Sequence, residues 1–199
     1  RKIVEHGRPS VVRHGKSIAA ALLPPGAMLP EDGGAEGLAA LCGPLEPWPP
    51  GVRLPLFDYA HDVVRHHRAA LDQNLPDRLA QGDYREIADG VFAAPGAALG
   101  QYCVTDSRAG PILLDREVQI GPFCFLAGPL YLGPGTRVLE HAAIKDGVAA
   151  GHTCKIGGEV EAASIEPYTN KQHHGFLGHS YLGSWVNLGA GTCNSDLKN

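Results

Sequence analysis

Long apolar runs are missing from this 199-residue chain, and with them any stretch near the ~18 residues of a membrane span. Clusters of Lys and Arg are missing too. With 17 basic and 21 acidic residues the net charge is −4, which argues against a nucleic-acid partner. No CxxC pair occurs. The five cysteines (Cys42, Cys103, Cys124, Cys154, Cys193) make an odd set and read as buried, reduced thiols of a cytosolic protein. No secretory signal opens the chain, and no Gly-rich loop built to cradle phosphates is found in it. What is present is 44% hydrophobic residues, enough for a core, with 26 glycines and 16 prolines. That usage points to tight corners rather than long helices. The chain opens on Arg1 and stops at Asn199 inside a patterned segment, so it reads as a piece of a longer protein.

Three segments are expected. Residues 1–57 read as the remnant of a small α/β domain. Two short strands, Val11–Arg13 and Ser17–Leu23, meet at a His14-Gly15 turn, and a loop rich in Pro and Gly follows from Pro24 to Pro50. Residues 58–85 read as a helical linker, with Asp58 as N-cap and Ala60, Val64, Leu71 and Leu75 on one face. Pro76 should break it and start a second helix that ends at Gly82. His61, His66 and His67 on this helix read as surface or packing residues, because no ligand partner lies at metal spacing.

From residue 86 the fold expected is mainly β, a parallel β-helix built on hexapeptide repeats. Leu114, Ile120, Leu126, Leu132, Val138, Ile144, Ala150 and Ile156 follow one another six apart without a miss. That period matches neither the 3.6 of a helix nor the 2 of a simple strand. It fits a triangular coil whose faces take six residues each, about 18 per turn, with these side chains pointing inward. Compact residues four places later (Cys124, Thr136, Ala142, Val148, Cys154, Val160) should fill the corner region. Gly121, Gly133, Gly151 and Gly157 should permit the bend. Val91, Ala97 and Cys103 place the start earlier, with an interruption at Asp106–Pro111. Residues 87–199 would supply about six coils. The repeat fails after Ile156 and returns at Ile165, Leu177, Leu182 and Leu188. The polar stretch Glu166–Gly175 lies between and reads as the projecting, functional break.

Lys171, His173, His174, His179, Asn187, Asn194 and Lys198 gather around that break. If the coils stack, His173, Asn187 and Asn194 converge on one edge. A neutral histidine can take a proton near pH 7, asparagines can hold a polar substrate, and a lysine can neutralise a phosphate. The blander reading is a set of surface polar residues on a β-helix.

The stretch from His173 to Gly178, followed by Tyr181 to Asn194, resembles the acetyltransferase domain of the bifunctional N-acetylglucosamine-1-phosphate uridyltransferase/glucosamine-1-phosphate acetyltransferase family. The resemblance is strongest to a divergent branch described as sugar nucleotidyltransferases, which shares Cys154–Glu161 and the ending Asn194–Asn199. It implies a left-handed β-helix, a homotrimer with acetyltransferase sites between subunits, and a cytoplasmic enzyme of UDP-N-acetylglucosamine-type sugar-nucleotide biosynthesis. Carried over by position, His173 is the catalytic base. Asn187, Asn194, Lys198 and Lys145 bind substrate, and Gly189, Ala190 and Gly191 contact acetyl-CoA. The acceptor would be an amino-sugar phosphate. Mg2+ would enter only with an upstream nucleotidyltransferase domain.

Three family positions differ here, a phosphate-contacting lysine replaced by Glu161, a tyrosine by Phe176 and a pocket arginine by Lys145. They favour one alternative, a non-catalytic trimerisation module of a sugar nucleotidyltransferase. A second alternative is a γ-carbonic-anhydrase-like zinc enzyme using His174, His179 and either His141 or His152.

Overall fold

A computed structural model describes residues 7–31, 33–48, 54 and 56–194. The chain divides into two compact units, Arg1–Asp58 and Tyr59–Asn199. In the first, β1 (Ser10–His14) and β2 (Ser17–Leu22) form the expected antiparallel hairpin, with Val11 and Val12 buried. The segment expected to be loop from Pro24 to Pro50 instead contains α1 (Ala35–Cys42) and β3 (Glu46–Pro47), which runs parallel to β1. The eight residues between Gly34 and Gly43 include five Ala and Leu, whose helix propensity outweighs Gly37 and the surrounding prolines and glycines.

The second unit opens with one helix, α2 (Asp62–Gln81). Asp58 precedes it by four residues and is not its cap. The Tyr59 N–H donates to the Asp62 carboxylate at 2.9 Å, and Arg65 pairs with the same group at 2.8 Å. Pro76 does not break the helix. Its exposed ring costs one backbone bond, while Leu71 and Leu75 on the opposite side are buried with Leu113 of the β-helix. His67 packs as expected, its Nε2 lying 2.8 Å from the Gly147 carbonyl.

The remaining chain is a parallel β-solenoid, the architecture that the six-residue period predicts. Its first face carries β4 (Arg85–Ala88), β5 (Val91–Ala93), β7 (Ile112–Leu114), β10 (Leu130–Leu132), β13 (Val148–Ala150), β16 (Ser164–Ile165) and β19 (Tyr181–Leu182). The second carries β8 (Gln119–Ile120), β11 (Arg137–Val138), β14 (Lys155–Ile156) and β17 (Asn170–Lys171). The third carries β6 (Val104–Asp106), β9 (Phe125–Ala127), β12 (Ala143–Lys145), β15 (Glu159–Glu161) and β18 (Phe176–Gly178). Five turns are complete, and β19 with the Asn170–Asn187 bridge begins a sixth.

All eight residues of the six-apart series are at most 5% exposed. A fully buried Leu or Ile contributes roughly 1.5–3 kcal/mol, so the interior stack is the main stabilising term. The residues four places on are buried as well, including Val118, Cys124, Thr136, Ala142 and Cys154, whereas Val160, expected among them, pairs with Ile144 and is an inward residue. Val91, Ala97 and Cys103 belong to this corner-filling set. Ala93 pairs with Leu114 and is the inward residue of the first turn.

The glycines do a different job from the one expected. Gly121, Gly133, Gly151 and Gly157 do not have positive φ. A Cβ on Gly121 would stand 2.6 Å from the Glu140 nitrogen, and one on Gly133 would stand 2.7 Å from the Gly151 carbonyl carbon. They permit close stacking of turns. The bend is made just beyond them by left-handed residues, Phe123 after Gly121, Gly135 after Gly133, Thr153 after Gly151 and Gly158 after Gly157.

Candidate functional site

Glu166–Gly175 is not a projecting loop. Ile165, Lys171 and Leu177 are six apart and pair in register with Ile156 or its equivalents in the turn below: Ala150↔Ile165, Ile156↔Lys171, Val160↔Leu177. The repeat shortens just before this stretch. Val160, which pairs with Ile144, follows Ile156 by four residues instead of six, and Ile165 follows Val160 by five. Lys171 therefore occupies an inward position, which is why the apolar series showed a gap there. It is 2% exposed, and burial pushes its ammonium below the ordinary lysine range.

His173 follows at the corner between the second and third faces and is exposed, as is His174. The Gln172 Nε2 and His173 Nε2 atoms lie 3.3 Å apart, and the His173 carbonyl accepts from Lys171 Nζ at 2.8 Å. One turn further on, the Gly191 N–H donates to the His174 carbonyl at 2.9 Å. The Gly189–Ala190–Gly191 corner thus stacks on the His173–His174 corner. Asn187 bridges Asn170 on the second face, and Asn194 N–H donates to the Phe176 carbonyl at 3.1 Å on the third. Asn187 and Asn194 therefore flank this corner on its two faces.

Asn194 is also bonded through its side chain. Its Oδ1 accepts from Gly178 N–H at 2.9 Å, and its Nδ2 donates to the Gly178 carbonyl at 2.7 Å and to Ser180 Oγ at 3.1 Å. This amide does for Gly178 what a neighbouring strand would do. Lys145 stands on the third face. Its Nζ meets Glu159 at 2.9 Å and Glu161 at 3.2 Å, and these bonds, Glu159 first, hold its pKa above the usual lysine value. Lys198 lies outside the described residues.

Among the described residues, no three His, Cys, Asp or Glu side chains of the chain are placed to share a metal. His174 and His179 are not gathered with His141 or His152. All five cysteines are free thiols. No helix among the described residues is long and apolar enough to cross a membrane.

The sequence reading missed a polar seam between α2 and the first turns. Asp115 accepts from Tyr131 OH at 2.8 Å, Tyr84 OH at 3.1 Å and Arg78 at 3.3 Å, and Arg78 also lies over the Tyr131 ring. Burial, with Asp115 beside it, raises both phenols above the usual tyrosine range. A cleft of about 520 Å3 opens above this seam, with Asn74, Gln81 and Arg116 on its walls. These partners lie 16 to 37 residues from Asp115 in sequence, and no local pattern links them.

Fold and corner together define a hexapeptide-repeat β-solenoid protein with a polar edge at His173. Comparison with known proteins narrows the class: over its alignable part the chain is a relative of the proteins named Bifunctional protein GlmU. That of Alkalilimnicola ehrlichii is 36% identical over 162 residues, covering 69% of this chain and 31% of the relative. That of Acidithiobacillus ferrooxidans is 36% identical over 99 residues, covering 46% and 22%. That of Jannaschia sp. is 27% identical over 142 residues, covering 68% and 31%. The chain thus spans about a third or less of the length of these relatives. No family model matches it.

Proposed function

We propose that the solenoid is the acyl-transfer half of a sugar-nucleotide enzyme, moving acetyl from acetyl-CoA to the amine of an amino-sugar phosphate. The observation that carries this reading is the stacking of the His173 corner beneath Gly189–Gly191, with Asn187 and Asn194 on either side. The relationship to GlmU proteins supports it.

In this reaction the amine nitrogen attacks the thioester carbonyl while the His173 imidazole takes its proton. The new C–N bond forms, and backbone N–H groups of the glycine-rich corner meet the oxyanion. The C–S bond then breaks and CoA leaves as a thiol, reprotonated by the imidazolium. Asn187, Asn194, Lys145 and Lys198 hold the acceptor, and Gly189, Ala190 and Gly191 lie against acetyl-CoA. The assembly proposed is a homotrimer in the cytoplasm, with the neighbouring subunit closing the site. Mg2+ would enter only with an upstream nucleotidyltransferase domain and takes no part in this step.

One observation favours a second reading, a non-catalytic trimerisation module. The charge of Lys145 is taken up by Glu159 and Glu161, and the Asn194 amide is taken up by Gly178. The deciding experiment is thiol release from acetyl-CoA in the presence of a panel of amino-sugar phosphates, for the wild type and His173→Ala. Turnover lost in the variant supports acyl transfer. Neither binding nor turnover of acetyl-CoA by the wild type leaves the trimerisation module.

A further inference from the structure

Where the second face meets the third, the turns are tied together by a row of side-chain bonds. Cys103 donates its thiol to the Gly121 carbonyl at 3.2 Å, and Cys124 donates to the Leu139 carbonyl at 3.0 Å. Gly121 and Leu139 each follow an inward residue, Ile120 and Val138. The next carbonyl of this row is Gly157, after Ile156. The residue that would serve it from the turn below is Ala142, which follows Cys124 in the corner column and has no donor. Gly157 is served from above instead, by Lys171 Nζ at 2.8 Å. The same ammonium donates to the His173 carbonyl at 2.8 Å.

The position is costly for a lysine. Ile156, its partner in the turn below, is buried and apolar, and a buried ammonium is tolerated only when its hydrogen bonds are made. It sits directly above the corner where the chain is shortened. Between Ile156 and Val160 there is no room for a corner-filling thiol or hydroxyl of the kind that Cys124, Thr136 and Cys154 supply elsewhere.

We propose that Lys171 is a positioning residue: its buried ammonium replaces the missing thiol of this row and ties the shortened corner at Gly157 to the full-length corner above it, which carries His173, setting where the imidazole stands. The role assigned to His173 rests on the acyl-transfer reading. The clamp itself rests on geometry alone. The two carbonyls that Lys171 holds differ in consequence. Gly157 belongs to the stacking of the turns, whereas His173 belongs to the edge where the chemistry is placed.

That difference allows a test. In Lys171→Met the side chain keeps its length and apolar stem but loses every donor. Backbone amides from Gln172 to Phe176 are expected to exchange hydrogen about tenfold faster, while those of the Gly121–Cys124 corner stay unchanged. kcat for acetyl transfer is expected to fall on the order of tenfold with KM within about twofold, since misplacement of a base acts on the reaction step. Adding Ala142→Cys supplies a thiol to Gly157 but none to His173. It should restore Tm and leave kcat low. Unchanged exchange at Gln172–Phe176 in Lys171→Met overturns the clamp. Recovery of kcat together with Tm in the double variant overturns the positioning role and leaves a purely structural lysine. A wild type without acetyl-transfer activity overturns the acyl-transfer reading and the role for His173 with it, and the exchange measurement then decides the clamp by itself.

Discussion

Lys145 and Glu161 stand side by side on the third face, with the ammonium 3.2 Å from one carboxylate and 2.9 Å from its neighbour Glu159. The Lys145 charge, which the acyl-transfer proposal assigns to the acceptor, is thereby already neutralised. Glu161→Gln is expected to free part of that charge. KM for a phosphorylated acceptor should drop on the order of threefold, the scale of a partly exposed ion pair, with kcat unchanged. The dependence of KM on salt should steepen at the same time. Equal KM values for the two proteins across salt concentrations would remove Lys145 from the acceptor site.

His173 is exposed at its corner, so its removal should leave the fold intact. His173→Ala is expected to lower kcat by about 10²–10⁴-fold while Tm moves little. His152, at a different corner, provides the control, and His152→Ala should keep wild-type kinetics. Steady-state kinetics and thermal melts on the same samples separate loss of a base from loss of structure. A His173→Ala protein with full turnover would falsify the assignment.

The stacking role of the glycines gives a stability test. Gly121→Ala brings a Cβ to 2.6 Å from the Glu140 nitrogen and 3.0 Å from its Cα, which only a shift of the turns can relieve. A loss of about 1–3 kcal/mol is expected in urea unfolding. Gly135 has φ +67 and open space around a Cβ, its nearest neighbour being Thr153 Oγ1 at 3.9 Å. Gly135→Ala should cost only the strain of the left-handed conformation, roughly 1 kcal/mol. Similar losses for both would mean that the turns are less tightly stacked than these distances require.

Alkaline pH tests the Asp115 seam. Burial, then Asp115, raises Tyr131 and Tyr84 in the folded protein. The folded state therefore holds these protons more tightly than the unfolded chain. The stability they contribute is complete below the ordinary tyrosine value of 10.0 and is lost as pH rises from there through the raised values. Tyr131→Phe is expected to flatten the fall in Tm above pH 10 and to lower Tm at neutral pH, because Asp115 loses one of its donors. An unchanged alkaline slope would place the lost protons elsewhere.

The inward row was legible without coordinates, because every member from Leu114 to Ile156 repeats at a fixed local interval and a prism needs an apolar interior. The corner with His173, Asn187 and Asn194 was legible in the same way, since residues about one turn apart end up on neighbouring coils. The apparent break at Glu166–Gly175 was misread. A polar residue at an apolar position looks like failure of the pattern, whereas Lys171 keeps the pattern and satisfies its charge with two carbonyls. Likewise, a glycine recurring after each inward residue signals a constraint without saying whether it comes from φ or from a neighbouring turn.

By itself, then, the sequence determined the solenoid, its period, its buried series and the edge where polar side chains collect, because these follow from one-dimensional spacing and hydrophobic burial. Only the tertiary structure decided that Lys171 points inward, that the chain shortens between Ile156 and Ile165, that Lys145 is held by Glu159 and Glu161, and that Asp115 draws Arg78, Tyr84 and Tyr131 together. Each of these depends on which turn stacks against which residue, a relation between distant parts of the chain that no local period encodes.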